Sequence, residues 1–542
     1  VNRKVSTDGR LFVHYNLGYA DVTSTQASTD WASSSLTGLH YVVFNTSTKI
    51  FNIVRFDFIS SFDVNVNIII GFVGNDAKGK LQHSISGNYV LNNEYYPIQS
   101  KNFQRYGLSN LGALSYCGFD TDYSLIFGYG QSLSMGWEAH YALTTTNYPD
   151  TYMLGSSIWM IRGNDGSSTF NQLVGQYVDP CGESPLVGMT NSFKRVFERY
   201  NRRGKAQKFV AVNGGEGGRS IEQLSKTCTN NTTQANNLYS TTFLSALNRA
   251  KTASDNLGKT ISCPVIFYAQ GEHNYAANIF GRGLTTGSNA TSDKDTYKSL
   301  LLTLKNNMQS DVMSILGQSD RPLFFLYQTS GNYIDIESMT ISMAQLEFAQ
   351  ENEDVILVNP HYAMPDHSGG HLSANGYRWW GENIAKSLHC AFNQNQKIGG
   401  VVMKNISIVD ERTIEIDFQV PTLPLVLDTK TTPLQTSFGF KVVSNGSERS
   451  IASVAIIENK VILKFSTRLS TGTVNVSYAG LGRNGSGNLR DSDNWVSQYT
   501  YYDDSTNFPP TYNPVDSSDQ PYYGKKYPCW NWAYSFYKSL SY

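Results

Sequence analysis

The sequence predicts a central α/β domain, a parallel sheet with helices on both faces, flanked by N-terminal and C-terminal all-β domains. Three observations carry this. Between about residues 111 and 395, short apolar runs alternate with helical stretches about five times, as in a parallel sheet with covering helices. On either side, apolar residues recur with a period of two. The chain, at 542 residues, is too long for one ordinary domain. The resulting division is 1–110 for an N-terminal β-rich domain, 111–395 for the α/β domain, 396–500 for a C-terminal β-sandwich and 501–542 for an irregular tail rich in Tyr, Pro, Asp and Asn.

In the first stretch Val64, Val66, Ile68, Ile70 and Phe72 alternate with Asn65, Asn67, Ile69 and Gly71, and Gly74-Asn75-Asp76 supplies turn chemistry, so a sandwich or jelly roll is expected. The α/β strands are Ser124 to Phe127, Phe209 to Val212, Val265 to Tyr268, Leu323 to Tyr327 and Val355 to Val358. Tyr297, Leu300, Leu304, Met308, Val312 and Ile315 repeat at helical spacing, as do Leu186, Met189, Phe193 and Val196 behind a Ser184-Pro185 start. Ser373 caps a further helix whose core face is Tyr377, Trp380, Ile384 and Leu388. Alternation returns at Ile414-Ile416-Phe418-Val420, Val461-Leu463-Phe465 and Val474-Val476-Tyr478.

Composition narrows the function classes. Charged residues make up 16% of the chain, against roughly 25% in an average soluble domain, with 34 Tyr and 45 Gly among the residues that stand in for them. An uncharged polar surface suits sugars better than phosphates, and a net charge of -1 provides no basic field for nucleic acid. No apolar run reaches the roughly 18–20 residues of a membrane span, so no membrane insertion is expected. No signal peptide is visible behind Val1-Asn2-Arg3-Lys4; a chain without an initial Met reads as a trimmed product or a fragment, and secretion stays open. The six cysteines form no CxxC pair and read as free, mostly buried thiols. Asp, Glu and His clusters at metal-ligand spacing are lacking, so neither a metal nor a cofactor is expected.

Four blocks gather where strands of the α/β region end, which is where open parallel sheets place their ligands. The first is Gly128-Tyr129-Gly130-Gln131-Ser132-Leu133-Ser134-Met135-Gly136. Its small residues let the backbone turn sharply into a helix, leaving the Ser132 hydroxyl and N–H facing one space. Taken alone, such a turn with a Ser cap is more often structural. The second, Val212-Asn213-Gly214-Gly215-Glu216-Gly217-Gly218-Arg219-Ser220-Ile221-Glu222, is either a row of bare N–H donors or a plain tight loop. The third, Tyr268-Ala269-Gln270-Gly271-Glu272-His273-Asn274, offers the Gln270 amide as an uncharged donor or as a loop residue facing water. The fourth, Pro365-Asp366-His367-Ser368-Gly369-Gly370-His371, sets an Asp and a His ahead of the helix capped by Ser373; in isolation they read as surface groups. Chain order gives the set its weight: a Ser after the first strand, donors after later strands and a His after the last converge on one sheet edge.

Together these blocks resemble the SGNH (GDSL-like) hydrolase superfamily, and within it the carbohydrate O-acetylesterase branch with its sialate O-acetylesterase and acetylxylan esterase relatives. The likeness rests on Gly130-Gln131-Ser132, Gly217-Gly218-Arg219-Ser220-Ile221-Glu222, Gln270-Gly271-Glu272 and His371-Leu372-Ser373-Ala374-Asn375-Gly376-Tyr377, in that order. It implies a flavodoxin-like SGNH hydrolase domain and a carbohydrate O-deacetylase that works without metal or cofactor. Ser132 would be the nucleophile, His371 the base and Asp366 the acid that orients it; the Ser132 N–H, the Gly218 N–H and the Gln270 amide would form the oxyanion hole. There are two departures. Ser368, not Asp, stands three residues before His371, which leaves Asp366, five before, as the nearest acid. Arg219 replaces a small residue, which leaves the choice between Gly217 and Gly218 open.

The C-terminal module, through Phe438-Gly439-Phe440-Lys441-Val442-Val443 to Gly487-Asn488-Leu489-Arg490-Asp491-Ser492, resembles more loosely the sandwich that follows esterase domains in bacteriophage tail-spike and prophage carbohydrate esterases. That likeness implies a virion protein of the phage tail, a receptor-binding homotrimer. Its partners would be an O-acetylated bacterial polysaccharide (O-antigen or capsule) and other tail proteins, and its sandwich a carbohydrate-binding one. Two alternatives stand beside it: a secreted bacterial carbohydrate acetylesterase for plant polysaccharide or sialate, and a non-catalytic glycan-binding receptor protein. The joint presence of Ser132, Gln270 and His371 favours an enzyme. The polar aromatics Tyr129, Trp137, Tyr268 and Tyr362 weigh against the apolar tunnel of a lipase. No carboxylate pair for glycoside cleavage stands out, so deacetylation without chain cutting is expected.

Overall fold

A computed structural model of the chain describes residues 12–15, 18–21, 39–45, 51–55, 67–75, 81–84, 88–91, 94–97, 111, 114–200, 206–227, 237–275, 290–366, 370–501, 522 and 524–542. Val1–Arg105 and Tyr106–Tyr542 form separate compact units. In the first, Phe51–Arg55, Leu39–Asn45, Asn67–Asn75 and Leu81–Ser84 make a four-stranded antiparallel sheet in that order. Phe12–Tyr15 with Gly18–Asp21, and Asn88–Leu91 with Glu94–Pro97, pair as two further ladders. The described residues here are all β; Val64 and Val66 lie outside them.

The second unit is built on seven strands: β1 (Tyr123–Gly130), β2 (Thr151–Leu154), β3 (Phe170–Gln172), β4 (Lys208–Asn213), β5 (Ile261–Ala269), β6 (Leu323–Leu326) and β7 (Val355–Leu357), in the order β3-β2-β4-β1-β5-β6-β7. All pairs are parallel except the edge pair β2–β3. The five strands expected from the apolar runs are β1, β4, β5, β6 and β7, and their order taken alone is 2-1-3-4-5, the flavodoxin-like arrangement. β2 and β3 are additions on the far side of β4. Four and three residues long, with β3 largely exposed, they carry too little apolar pattern to be seen in advance.

Each residue of β1 is buried, because helices cover both faces. Ile126, Ala211, Val265 and Phe267 face one way, into a core shared with Leu186, Met189 and Phe193 of α2 (Pro185–Tyr200) and Tyr377, Trp380, Ile384 and Leu388 of α8 (Ala374–Gln394). Their neighbours Leu125, Phe127, Val210, Val212 and Ile266 face the other way, toward α4 (Ser245–Asn256), α6 (Lys294–Leu316) and α7 (Thr340–Glu351). Helices α2 and α8 cross so closely that a Cβ on Gly381 would lie 2.5 Å from the Pro185 carbonyl oxygen.

The sandwich has two antiparallel sheets, Val402–Asp410, Thr413–Gln419, Lys460–Phe465 and Ile451–Ile457 in one, and Ser447–Glu448, Phe440–Ser444, Thr473–Tyr478 and Phe536–Ser541 in the other. The tail is therefore not irregular throughout: its end pairs antiparallel with Thr473–Tyr478. Only Phe536 of this edge strand is buried, so no period-two apolar signal marked it. Upstream, the same region cradles α8. The Trp379 indole donates to the Pro528 carbonyl (2.8 Å) and stacks on Tyr527, and Glu382 accepts the N–H groups of Gln498 and Tyr499.

Cys117, Cys181, Cys263, Cys390 and Cys529 are free and buried; Cys228 lies outside the described residues. Burial pushes the Cys117 thiol up to about 11 and that of Cys181 to about 12, so both stay protonated at neutral pH. Among the described residues no helix is long and apolar enough to cross a membrane. The α2–α8 crossing makes one prediction. Gly381→Leu should lower the unfolding free energy by about 3 kcal/mol, measured by urea titration, because the added side chain meets backbone that cannot yield. A variant as stable as the parent would contradict the close approach.

Candidate active site

β1 ends between β4 and β5, where the strand order reverses and a crevice opens at the carboxyl ends. Gly130 has φ +142°, and a Cβ there would lie 1.9 Å from the Ala269 carbonyl oxygen, so only glycine lets the chain leave β1 against the end of β5. The next N–H, of Gln131, donates to that carbonyl (2.8 Å), and the Gln131 side-chain oxygen accepts the N–H groups of Gly271 and His273 (both 3.2 Å). The first block is thereby bound to the third. Ser132 then opens the short helix α1 (Ser132–Met135), largely buried at 6% exposure.

Asn213, at the end of β4, ties in the second block. Its side-chain nitrogen donates to the Ser134 carbonyl (2.7 Å), its oxygen accepts the Gly215 N–H (2.8 Å), and the Glu216 N–H reaches the Gly130 carbonyl (3.0 Å).

The fourth block brings His371 from the loop before α8. Ser373 caps that helix, as its sequence position requires, accepting the Gly376 N–H at 3.1 Å. His371 Nε2 lies 2.8 Å from Ser132 Oγ, and its Nδ1 lies 2.9 Å from Glu138 Oε2. The acid on the histidine is therefore Glu138, and the expectation of Asp366 is corrected. Asp366 forms a β-bridge with Leu372. His367, Ser368 and Gly369 lie outside the described residues.

Glu138 follows Ser132 by six positions on the turn after α1, with φ +59°, a left-handed conformation that costs a non-glycine residue of order 1 kcal/mol. Its N–H donates to the Pro180 carbonyl (2.8 Å), and Tyr377 of α8 donates its hydroxyl to the neighbouring Trp137 carbonyl (2.9 Å), so the turn is held from both sides. Nothing in the sequence marked this residue except that a carboxylate stands close behind the nucleophile block.

The oxyanion donors divide. Gln270 is fully buried, and both of its amide hydrogens are engaged, by the Arg219 carbonyl (3.2 Å) and Asn274 Oδ1 (2.6 Å), while its oxygen accepts from Tyr297 (2.8 Å). The side-chain amide has no N–H left for a substrate, so the expected donor is instead a clamp on the second block. Gly218 has φ +64° and open space where a Cβ would point. Among the described residues neither its N–H nor that of Ser132 donates to another backbone group.

The ground beneath His371 is polar and buried. Burial holds the Glu272 carboxyl above the usual range, against hydrogen bonds from Thr329 (2.7 Å) and Tyr327. His361 is pushed down to about 3 by burial, with the His371 charge adding to the effect, and so stays neutral. Among the described residues no three His, Cys, Asp or Glu side chains are grouped to hold a metal ion.

No protein-family model and no curated protein matches the chain. Among solved structures it is similar to a carbohydrate acetylesterase from Xanthomonas citri (14% identity, 68% of this chain and 77% of that one, TM-score 0.42). It is also similar to NanS (13%, 49% and 97%, TM-score 0.33) and to Est24, a carbohydrate acetylesterase from Sinorhizobium meliloti (12%, 50% and 99%, TM-score 0.27).

The identity of the acid is testable without substrate. A protonated His371 that donates from Nδ1 to a carboxylate should show a far-downfield proton resonance. Glu138→Ala should abolish that resonance and Asp366→Ala should leave it; the reverse pattern would restore Asp366 as the partner.

Proposed function

We propose that the chain is a serine esterase of the SGNH type that removes O-acetyl groups from a carbohydrate. The observation that carries this reading is the unbroken line Ser132–His371–Glu138, with 2.8 Å and 2.9 Å links, at the switch point of the sheet. Ser132 Oγ attacks the acetyl carbonyl while His371 Nε2 takes its proton, and Glu138 holds the Nδ1–H tautomer and stabilises the imidazolium. The N–H groups of Ser132 and Gly218 are the donors left to meet the oxyanion. His371 returns the proton to the departing sugar oxygen. Water then attacks the acetyl-serine with His371 as base, and acetate leaves.

The finer reading is that the substrate is an O-acetylated polysaccharide of the bacterial surface and that the chain is a trimeric receptor-binding spike of a phage tail. It is supported by the block pattern, by the weakly charged polar composition and by the esterase-then-sandwich arrangement. Three active sites on one polymer would add avidity to a cleft that grips a single small ester.

Acetate release from a panel of bacterial O-antigens and capsules, followed by NMR, tests the activity. Ser132→Ala should cut turnover by about 10⁴ or more, and undiminished release would remove Ser132 from the mechanism. Glu138→Gln should lower it by about 10²–10⁴ through the wrong tautomer, and Asp366→Asn should not match that loss. Sedimentation tests the assembly, where a monomer would sink the trimer, and shortened glycan after treatment would show that backbone bonds are cut.

A further inference from the structure

Trp137 stands in the chain between the nucleophile and the acid, one residue before Glu138. Its N–H donates to the Ser132 carbonyl (3.2 Å), and its own carbonyl accepts the Tyr377 hydroxyl of α8 (2.9 Å). An antiparallel bridge to Cys181 also holds this backbone. The half-buried indole packs on the core shared by α2 and α8.

That ring is the floor of the second block. A Cβ on Gly217 would lie 2.7 Å from Cζ3, 2.9 Å from Cε3 and 3.1 Å from Cη2 of the indole, so the loop rests on it with no room for a side chain. The two residues before are seated as closely. The Glu216 N–H donates to the Gly130 carbonyl (3.0 Å), and a Cβ on Gly215 would lie 2.5 Å from Ser134 Oγ. Arg162 adds a strap, its guanidinium carbon 5.0 Å from the centre of the Trp137 ring and its Nη2 3.5 Å from Glu216. An ion pair so long and partly exposed holds weakly, so the contact with the ring sets the height of the loop.

The next residue is Gly218, whose N–H is the loop's donor to the oxyanion in the proposed mechanism. Such a donor works at about 2.7–3.1 Å from the charge that develops. A misplacement of about 1 Å can cost about 10² in rate. A tryptophan beside the nucleophile of a carbohydrate esterase would ordinarily suggest a platform for sugar. Here the Gly217 backbone and the Arg162 guanidinium already rest on its ring.

We infer that Trp137 is a positioning residue that acts through Gly217 to set the height of the Gly218 N–H. The dipeptide Trp137-Glu138 then fixes both the oxyanion donor and the acid, and Tyr377 ties it to the helix that follows His371. The inference rests on the esterase reading and adds to it a residue whose effect appears in the chemical step and not in sugar binding.

The test uses the full chain and p-nitrophenyl acetate, an ester with no sugar for a platform to hold. Gly217→Ala and Trp137→Leu should each lower kcat about 10²-fold, with KM changed less than about threefold. The double variant should be no slower than either alone, because a leucine leaves space for the added methyl. A multiplied loss, about 10⁴-fold, would show that Trp137 does not act through Gly217. Gly217→Ala should also keep the downfield His371 resonance, since the change lies on the loop; its disappearance would assign the defect to the triad and overturn the inference. Should Trp137→Leu fail to fold, Gly217→Ala alone decides, and a kcat within about threefold of the parent's rejects the role. A loss confined to acetylated saccharides, through KM, would make Trp137 a sugar platform instead. A parent inactive on the ester and on acetylated glycans alike would sink the esterase reading, and the inference with it.

Discussion

No side chain fits between Gly130 and Ala269. That steric fact sets where Ser132 stands, because a Cβ at Gly130 would push β1 away from the end of β5. With the strands in contact, the Gln131 N–H reaches the Ala269 carbonyl and its side chain reaches two N–H groups beyond it. Asn213 and the Glu216 N–H complete the same stitch from the β4 side. Three loops from three strands become one piece of structure, held by bonds from buried groups that would be costly to leave unmet. Ser132 inherits its position from that piece.

His371 arrives by a separate route. It precedes α8, a helix whose charged and aromatic side chains are nearly all buried. Arg378 donates to the Thr500 carbonyl (2.7 Å) and to Tyr527 (3.0 Å), and Lys386 meets Asp493 at 3.4 Å. The Asp491 carboxyl, pressed by burial and by Asp493, is raised to about 6 and is steadied by Asn531. Buried ions of this kind add little net stability as pairs, yet removing one partner leaves a charge without compensation. The C-terminal chain therefore belongs to the machinery that orients α8, which explains why its composition is polar and aromatic instead of plainly apolar.

The sequence carried the fold where burial is two-sided and long. The five central strands and helices α2, α6 and α8 all announce themselves through unbroken apolar runs or helical spacing. It failed where elements are short or lie on an edge, as in β2, β3 and the last strand. At the site, Ser132 and His371 were readable because glycines and a helix cap frame them. Gln270 and Asp366 were misassigned for a common reason. Each depends on partners far away in the chain: Tyr297 and Arg219 engage Gln270 from 27 and 51 positions away, and the acid on His371 is Glu138, 233 positions away. Glu138 has no frame at all, since its left-handed turn is held by the Pro180 carbonyl on its own N–H and by Tyr377 on the Trp137 carbonyl.

The placement of the acid changes what must be aligned. In the expected arrangement, nucleophile and base–acid pair sit on two loops, and the acid travels with the histidine. Here Ser132 and Glu138 stand six positions apart, on α1 and on the turn that follows it, where Gly136 and Glu138 both take the left-handed conformation. Ser132 and Glu138 then form a fixed cleft into which a single imidazole docks, bridging the two with both nitrogens. Displacing the histidine loop would break both hydrogen bonds together. In the proposed mechanism the strain at Glu138, of order 1 kcal/mol, is small beside the several powers of ten in rate that a correct tautomer is worth.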